Sequence, residues 1–303
     1  MQFGIQTRGT YEELLDLTRW AESRGAESFA LPDHYLSRGD ETTPALDNLV
    51  VLAGLARETD SIGLACLVSP VTFRHPGVLY KMGVTLDEMS GGRFTLGLGA
   101  GWMDEEFELF GLPYPDLKTR MEMYEEAMAY LRAAITPGAH GFKGSHYELA
   151  EFDPHPHPIN LRIMGGGAGK PKSQRITALY ADEYNVYARH PEVFAEIRES
   201  TRRQAAEAGR DPDSIKWTSA GPGLAAKKES DYRRILESLA EMTDQSPDHI
   251  EEVYEERGYP HGSGSKASEM VAALGEAGCE LYYIQMFARD RTSYDLIVDA
   301  YTA

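Results

Sequence analysis

Short apolar runs recur along the chain, and each is followed by a longer stretch in which apolar residues return every three or four positions. In the first unit the run at residues 2–6 precedes a segment where Leu14, Leu17 and Ala21 fall on one helical face and Gly25 marks its end. This spacing predicts a strand followed by a helix. The predicted strands are residues 2–6, 28–34, 62–70, 93–101, 161–167, 183–188, 215–221 and 280–287.

The repeated alternation predicts an α/β fold, namely a (β/α)8 TIM barrel in a single domain over residues 1–303 with small insertions. The competing interpretation is an open, doubly wound Rossmann-like sheet, which alternates in the same way. No low-complexity linker interrupts the chain, and this favours one domain. The predicted insertions are a hairpin at residues 141–149, two helices within residues 227–258 and a third helix at residues 265–278.

Composition narrows the range of partners and compartments. Acidic residues outnumber basic ones and give a net charge of −18, which opposes binding to nucleic acid and to anionic membranes. The 2 cysteines, Cys66 and Cys279, are too few for a disulfide framework. No apolar run is long enough to cross a bilayer, and the first residues lack the pattern of a secretory signal. We therefore expect a cytoplasmic protein with no nucleic-acid or membrane partner.

A glycine-rich turn follows the fifth predicted strand. Residues 165–169 read GGGAG and are followed by Lys170, Lys172 and Ser173. Glycines let backbone N–H groups approach an anion, and the start of the next helix adds partial positive charge, so the pattern predicts a phosphate cradle. It lacks the residue order of a nucleoside triphosphate loop, and residues 97–102 do not complete a dinucleotide fingerprint. The alternative is a tight strand-to-helix turn with solvated lysines.

Asp33 and His34 end the second predicted strand, where catalytic groups of a barrel gather. An imidazole at that point can donate a proton or a hydrogen bond, and the neighbouring carboxyl group can tune its pKa. The alternative interpretation is a capping Asp beside a surface His.

Two further motifs carry weaker signals. His155 and His157 alternate with prolines, but no third ligand is spaced to complete a metal site, so no bound metal is expected. The acidic run at residues 104–108 is interpreted as the solvated face of a helix.

Three blocks of sequence carry a family resemblance. They are LPDHYLS at residues 31–37, the block at residues 62–115 that contains LDEMSGGRFTLGLGAGW, and LRIMGGGAG with YADEYNVYA at residues 161–169 and 180–188. On these residues the chain resembles the luciferase-like monooxygenase superfamily, and within it the branch of deazaflavin (coenzyme F420)-dependent oxidoreductases. The resemblance covers residues 1 to about 210 and resumes weakly at residues 265–285.

The resemblance implies an oxidoreductase that transfers a hydride between coenzyme F420 and a small-molecule substrate. It implies that His34 is the catalytic residue near the deazaflavin ring and that Asp33 contacts the coenzyme. Cys66 and Leu67 match the place where family members carry a non-prolyl cis peptide behind the ring. The other implied cofactor-binding residues are Gly99, Ala100 and Gly101 after the fourth strand, and Gly165, Gly166, Gly167 and Ala168 at the phosphate-binding turn.

Several alternatives stay open at this stage. FMN is the alternative cofactor, in a monooxygenase that uses reduced flavin and oxygen, and a noncatalytic flavin- or deazaflavin-binding protein is the second alternative. Some family members carry a Glu where Trp102 stands, so the resemblance supplies no acid there. Residues 211–264 carry no pattern to transfer, which leaves the substrate open. We expect a homodimer, with residues 50–56 as a subunit contact or as packing onto the barrel.

Overall fold

Strands and helices alternate as the spacing predicts. The computed structural model describes residues 1–37, 44–187, 189–287 and 291–303. The strands are β1 (Gln2–Gln6), β2 (Ser28–Leu31), β3 (Gly63–Pro70), β4 (Phe94–Gly99), β5 (His140–Lys143), β6 (Glu148–Phe152), β7 (Arg162–Gly167), β8 (Glu183–Tyr187), β9 (Lys216–Pro222), β10 (Leu224–Ala226), β11 (His261–Ser263) and β12 (Leu281–Gln285). The helices are α1 (Tyr11–Ser23), α2 (Asn48–Glu58), α3 (Pro76–Ser90), α4 (Asp104–Leu109), α5 (Leu117–Ile135), α6 (Pro171–Tyr180), α7 (Pro191–Glu207), α8 (Glu229–Thr243), α9 (Pro247–Arg257), α10 (Lys266–Glu276) and α11 (Arg291–Tyr301), and a 3₁₀ turn spans Pro212–Ser214.

Parallel pairing closes the main sheet into a barrel. Its strands are neighbours in the order β1, β12, β9, β8, β7, β4, β3 and β2, and β2 pairs with β1 to complete the ring. The register of β1 against β12 places Gln6 opposite Gln285. The (β/α)8 prediction is therefore confirmed, and the open doubly wound alternative is wrong. Because all barrel strands run the same way, their carboxyl ends form one rim.

The strands are apolar on both faces because each face meets a different layer. Inside the barrel, side chains from several strands form a small cluster that includes Ala65, Met164, Leu281 and Tyr283. Outside it, a larger cluster fills the space between the sheet and the surrounding helices. Strands that are covered on both sides read as continuous apolar runs, and this is the pattern from which they were predicted.

The insertions in the barrel agree in part with those predicted from the sequence. Strands β5 and β6 pair antiparallel, which confirms the hairpin, and α8, α9 and α10 confirm the predicted helices. The parallel pair of β10 and β11 was not predicted, because three-residue strands are too short to show a period. The last residue of the predicted strand at residues 183–188 lies outside the described residues.

Helix α2 shows how the outer layer packs. Val51, Leu52 and Leu55 are buried, whereas Val50 is 65% exposed. Most of the apolar run at residues 50–56 therefore packs within the chain, and the subunit contact expected there stays a prediction. None of the helices in the described part of the chain is long and apolar enough to cross a membrane.

Candidate active site

Four consecutive barrel strands bring the predicted cofactor residues to one side of the rim. In the ring, β2, β3, β4 and β7 are neighbours. Asp33 and His34 follow β2, Leu67 lies in β3, Gly99 ends β4, and residues 165–167 end β7. The sequence-predicted positions therefore form one contiguous arc, while β9, β12 and β1 form the opposite side of the rim.

A buried carboxylate holds His34 in place. Both oxygens of Glu106 lie 3.1 Å from Nδ1 of His34, and Glu106 is 1% exposed. Oε1 of Glu106 also accepts the backbone N–H groups of Tyr35 at 2.6 Å and Leu36 at 3.1 Å. With Nδ1 engaged, the imidazole keeps Nε2 for a ligand at the rim, and its side chain remains partly exposed. His34 is therefore oriented for proton exchange at Nε2.

Glu106 is a functional residue that the sequence analysis missed. The interpretation of residues 104–108 as a solvated face is wrong at this position, because α4 turns Glu106 inward while Glu105 and Glu108 are exposed. The available signal was the apolar residue Phe107 next to it, which is also buried and marks the inner side of this short helix.

Trp102 stands at the rim beside the histidine. Its ring meets the ring of His34 edge to face, with centroids 5.6 Å apart. Position 102 is a tryptophan and supplies no acid. The carboxylate that orients His34 belongs to Glu106 on the following helix, α4.

Asp33 is paired with Arg74 and not with His34. Nη1 of Arg74 donates to Oδ2 of Asp33 at 2.5 Å, and Nη2 of Arg74 donates to Asp47 at 2.5 Å. Burial raises the pKa of Asp33, while the guanidinium of Arg74 and the hydroxyl of Ser69 act against this rise. The carboxylate that contacts His34 belongs to Glu106, while Asp33, the acid expected beside the histidine, pairs with Arg74. The expected contact of Asp33 with the coenzyme stays a prediction.

The cis peptide lies one bond further along β3 than expected, since it joins Leu67 to Val68. The side chain of Cys66 turns to the helix layer, where its Sγ accepts a hydrogen bond from Nδ2 of Asn48 at 3.1 Å. Burial raises the pKa of this thiol. The Cys66 side chain therefore does not face the site. Leu67 belongs to the barrel interior, and Val68 packs against the same cluster.

Val68 explains why glycines stand on the two neighbouring strands. A Cβ at Gly97 would lie 2.7 Å from Cγ1 of Val68, one at Gly166 would lie 2.8 Å from the same atom, and one at Gly99 would lie 3.0 Å from Cγ2. Side chains at these positions would collide with Val68. Gly166 is therefore required by packing, whether or not its backbone also contacts a ligand.

The glycine turn leads into a helix with a free N-terminus. Gly169 has a φ of 71°, a left-handed conformation that favours glycine. Lys170, the N-cap residue of α6, gives no side-chain hydrogen bond to the first turn. Among the described residues, the N–H group of Lys170 donates no backbone hydrogen bond. Unpaired N–H groups at a helix N-terminus attract an anion, so this turn fits the phosphate of a flavin-type cofactor.

The polar residues beside the turn have different roles. The hydroxyl of Ser173 donates to the carbonyl of Lys170 at 2.8 Å and lies 3.0 Å from the hydroxyl of Tyr184. Ser173 is buried, and its hydroxyl is engaged within the turn itself. Lys170 is exposed, and it brings positive charge to the edge of the cradle.

A chain of hydrogen bonds crosses the floor of the site. Nε2 of Gln6 donates to the carbonyl of Leu67 at 2.6 Å, and Nε2 of Gln285 donates to Oε1 of Gln6 at 2.7 Å. The hydroxyl of Tyr187 donates to Oε1 of Gln285 at 3.0 Å. Burial raises the pKa of Tyr187, so it remains a neutral donor. This chain links β3, β1, β12 and β8 and fixes the carbonyl that precedes Val68.

A large cavity opens on the opposite side of the rim. Its volume is about 1120 Å³, and its walls include Pro222 and Met286 after β9 and β12 and Leu239 and Tyr254 on α8 and α9. Neither His34 nor the glycine turn is part of its lining. The segment at residues 211–264, which carried no pattern in the sequence, thus forms one wall of this cavity.

Arg8 connects the cavity with the histidine. It lines the large cavity and also a small cavity that His34 lines. Among the described residues, Arg8 has no ion-pair or hydrogen-bond partner. Burial lowers the pKa of Arg8, and the negative charge of Glu106 acts in the opposite direction. Glu106 acts on Arg8 at longer range, and no described carboxylate forms an ion pair with it, so this half-buried guanidinium is suited to bind an anionic group.

Comparison with known families agrees with this geometry. The family described as luciferase-like monooxygenase matches residues 2–280 of the chain. The chain belongs to the luciferase-like monooxygenase family. The match includes every strand-end position of the arc, from His34 to the glycine turn.

Relatives of this luciferase-like protein include enzymes with different activities. Pyrimidine monooxygenase RutA of Caulobacter sp. (strain K31) is 27% identical over 172 residues, which are 55% of this chain and 48% of that protein. The F420-dependent glucose-6-phosphate dehydrogenase of Amycolatopsis mediterranei (strain U-32) is 29% identical over 159 residues, 51% of this chain and 48% of that protein. The chain therefore spans about half the length of these relatives.

Solved structures share the fold over the whole chain. An F420-dependent secondary alcohol dehydrogenase in complex with an F420-acetone adduct superposes with a TM-score of 0.81 at 18% identity, covering 99% of this chain and 98% of that one. The coenzyme F420-dependent tetrahydromethanopterin reductase from Methanopyrus kandleri gives a TM-score of 0.73 at 20% identity, covering 98% and 96%. At these identities the likeness establishes the barrel fold.

Proposed function

We propose that this member of the luciferase-like family is a coenzyme F420-dependent oxidoreductase that transfers a hydride between the deazaflavin and a small organic substrate. The observation that carries the proposal is the contact of Glu106 with Nδ1 of His34, which leaves Nε2 for proton transfer at the rim. Hydride transfer at a carbon bonded to oxygen requires a proton to move at that oxygen, and a fixed imidazole provides this. The F420-dependent relative supports the choice of cofactor.

The residues of the arc fit such a cofactor. The glycine turn and the start of α6 would hold a phosphate, with Lys170 adding positive charge. Residues 99–101, at the end of β4, and Val68 on β3 would line the place of the ring. When bound, a deazaflavin supplies two-electron hydride chemistry.

The proton steps belong to His34 and Glu106. In the direction of substrate oxidation, Nε2 of His34 accepts the hydroxyl proton of the substrate as a hydride leaves the adjacent carbon. In the reverse direction the same atom returns the proton to the carbonyl oxygen. The carboxylate of Glu106 stabilises the imidazolium and keeps the ring in one orientation, because it also binds two backbone N–H groups.

Arg8 extends the proposal to the charge of the substrate. Its guanidinium lies between the large cavity and the cavity at His34, where a substrate would reach the proton-transfer atom. We infer a substrate that carries a carboxylate or phosphate group, since either group can form paired hydrogen bonds with a guanidinium.

An FMN-dependent monooxygenase is the second candidate function. The observation in its favour is the set of relatives named pyrimidine monooxygenase RutA. The phosphate cradle does not discriminate between the two cofactors, because both present a phosphate to the same turn.

Turnover assays separate these functions. The purified chain is supplied anaerobically with oxidised F420 and either a secondary alcohol or glucose 6-phosphate, and separately with reduced FMN, oxygen and a pyrimidine. We expect F420 reduction in the first set and no oxygen consumption beyond the protein-free rate in the second. Oxygen-dependent turnover with FMN alone would replace the proposal, and tight cofactor binding with no turnover on a broad panel would favour a noncatalytic binding protein.

A further inference from the structure

Two histidines and an aspartate lie close together on the strap, the segment at residues 153–161 that connects β6 to β7. Nε2 of His155 lies 3.5 Å from Oδ2 of Asp153, and Nε2 of His157 lies 3.4 Å from the same oxygen. The three ligand atoms all lie within 4.8 Å of one another. The expectation that no third ligand completes the histidine pair is therefore wrong. Asp153 stands two residues before His155 in the same alternating run.

The spacing of these atoms suits one small divalent cation. Zinc bonds to imidazole nitrogen and carboxylate oxygen at about 2.0–2.2 Å, so ligand atoms around a tetrahedral ion stand roughly 3.3–3.5 Å apart. The two measured nitrogen–oxygen separations, 3.4 and 3.5 Å, are of this size. Imidazole ligands also favour zinc over magnesium or calcium, which prefer an all-oxygen shell.

The strap is held in this shape from several sides. Oδ1 of Asp153 accepts the backbone N–H of Gly138 at 3.0 Å, which leaves Oδ2 directed to the histidines. The hydroxyl of Tyr80 lies 3.2 Å from the carbonyl of Pro154 and 3.1 Å from that of Pro156. A site whose backbone is already fixed loses little conformational entropy when it binds a metal.

The histidines are fixed and accessible as well. Nζ of Lys81 donates to the carbonyl of His155 at 2.8 Å. Nδ1 of His157 is buried and has no hydrogen-bond partner among the described residues, so Nε2 is the nitrogen of that ring that is open to a ligand. The side chains of Asp153, His155 and His157 are 39%, 68% and 34% exposed, which allows an ion to enter from solvent.

We propose that Asp153, His155 and His157 bind one Zn²⁺ ion, with water in the remaining position. The ion acts as a structural clamp on residues 153–157 and holds the chain that leads into β7. It lies on the strap outside the arc of residues assigned to the cofactor, so it takes no part in hydride transfer. The proposal is independent of the proposed F420 activity.

Calorimetry with zinc tests this directly. The full chain, with any affinity tag removed, is treated with EDTA, exchanged into metal-free buffer and titrated with ZnCl₂. We expect one Zn²⁺ per chain and a binding constant at least tenfold weaker in D153N and in the double variant H155Q/H157Q. H249Q, which removes an exposed histidine on α9, is the matched control and keeps wild-type binding. MgCl₂ gives no binding heat.

Thermal unfolding provides the second readout. Zinc raises the Tm of the wild type and of H249Q but not that of H155Q/H157Q, because only a folded site binds the ion. Circular dichroism without metal verifies that the double variant is folded. If the wild type takes up no stoichiometric zinc, or if H155Q/H157Q binds as tightly as the wild type, the site does not exist. A loss of F420 turnover with zinc binding intact would instead concern the proposed function alone.

Discussion

Nδ1 of His34 lies 3.1 Å from each carboxylate oxygen of Glu106, although the two residues are 72 positions apart in sequence. The carboxylate also accepts the backbone N–H of Tyr35, so it orients the histidine and the backbone that follows it. Because Glu106 is buried, solvent screens its interaction with His34 only weakly. The pair is the basis of the proposed proton transfer at Nε2.

Replacement of Glu106 by Gln removes the charge that stabilises an imidazolium at His34. We expect kcat of E106Q to fall by about 100-fold, the lower end of what general acid–base groups contribute, with the dissociation constant of F420 changing less than about threefold. Steady-state kinetics and a cofactor titration on the same preparation measure both quantities.

The neighbouring acid Glu108 provides the control for that experiment. It is exposed on the same short helix, and E108Q should keep wild-type kcat. Equal losses of turnover and cofactor affinity in E106Q would show that Glu106 supports the cofactor site and not the proton step.

Gly166 should tolerate a side chain only if Val68 becomes smaller. We expect G166A to lower the free energy of unfolding by about 1–3 kcal/mol, because the new Cβ would lie 2.8 and 2.9 Å from Cγ1 and Cγ2 of Val68. V68A removes both atoms, so the double variant G166A/V68A should be more stable than the sum of the single changes predicts. Denaturant unfolding of the four proteins gives the coupling energy.

Gly165 is the control for this experiment, because it is crowded by side chains other than Val68. A Cβ at Gly165 would meet Thr177 at 2.5 Å and Tyr124 at 2.9 Å, and not Val68. G165A and V68A should therefore act additively. If G166A and V68A are also additive, Val68 is not the reason for the glycine on β7.

The hairpin of β5 and β6 depends on a charged Glu126. Burial acts to raise the pKa of Glu126, but the backbone N–H groups of Ser145, His146 and Tyr147 donate to its carboxylate and lower the pKa below its usual range. A carboxyl group whose pKa is lowered by folding stabilises the protein above its unfolded pKa of about 4.3. That contribution is lost as the pH falls below this value.

The matching experiment compares E126Q with wild type at two pH values. At pH 7 we expect E126Q to be less stable by about 1 kcal/mol, because hydrogen bonds to a partly exposed charge are weakened by solvent. The difference should shrink as the pH is lowered below about 4. E151Q, at an exposed position of β6, is the control with little effect at either pH. A difference that does not depend on pH would assign the effect to packing.

Arg8 should set the preference for charged substrates. We expect R8A to raise KM for glucose 6-phosphate at least tenfold more than KM for a neutral secondary alcohol, since a lost charged hydrogen bond is worth about 1.5–3 kcal/mol. R19A, which removes an exposed arginine paired with Glu58, is the control. An equal change for both substrates would contradict a role of Arg8 in recognising the anionic group.

The fold could be predicted from sequence because barrel strands are apolar on both faces and their helices have clear spacing. The arc of site residues followed from the rule that strand carboxyl ends meet at one rim. His34 and the glycine turn were therefore placed correctly at that rim, and their roles toward cofactor and substrate remain predictions.

The partners of these residues could not be predicted in the same way. The choice between Asp33 and Glu106 as the acid at His34 depends on how the short helix α4 folds back over β2, and no local period reports that. The same limit applies to Val68, whose contacts with Gly97 and Gly166 arise only when β3, β4 and β7 are adjacent. Contacts between distant segments are set by tertiary packing, which local patterns do not encode.

The proposed function requires that the arc from β2 to β7 binds a deazaflavin. This binding is measured by a fluorescence or absorbance titration of the purified chain with coenzyme F420 and with FMN, at equal pH and ionic strength. We expect a dissociation constant at least tenfold lower for F420 than for FMN. Tighter binding of FMN, or no binding of F420, would contradict it.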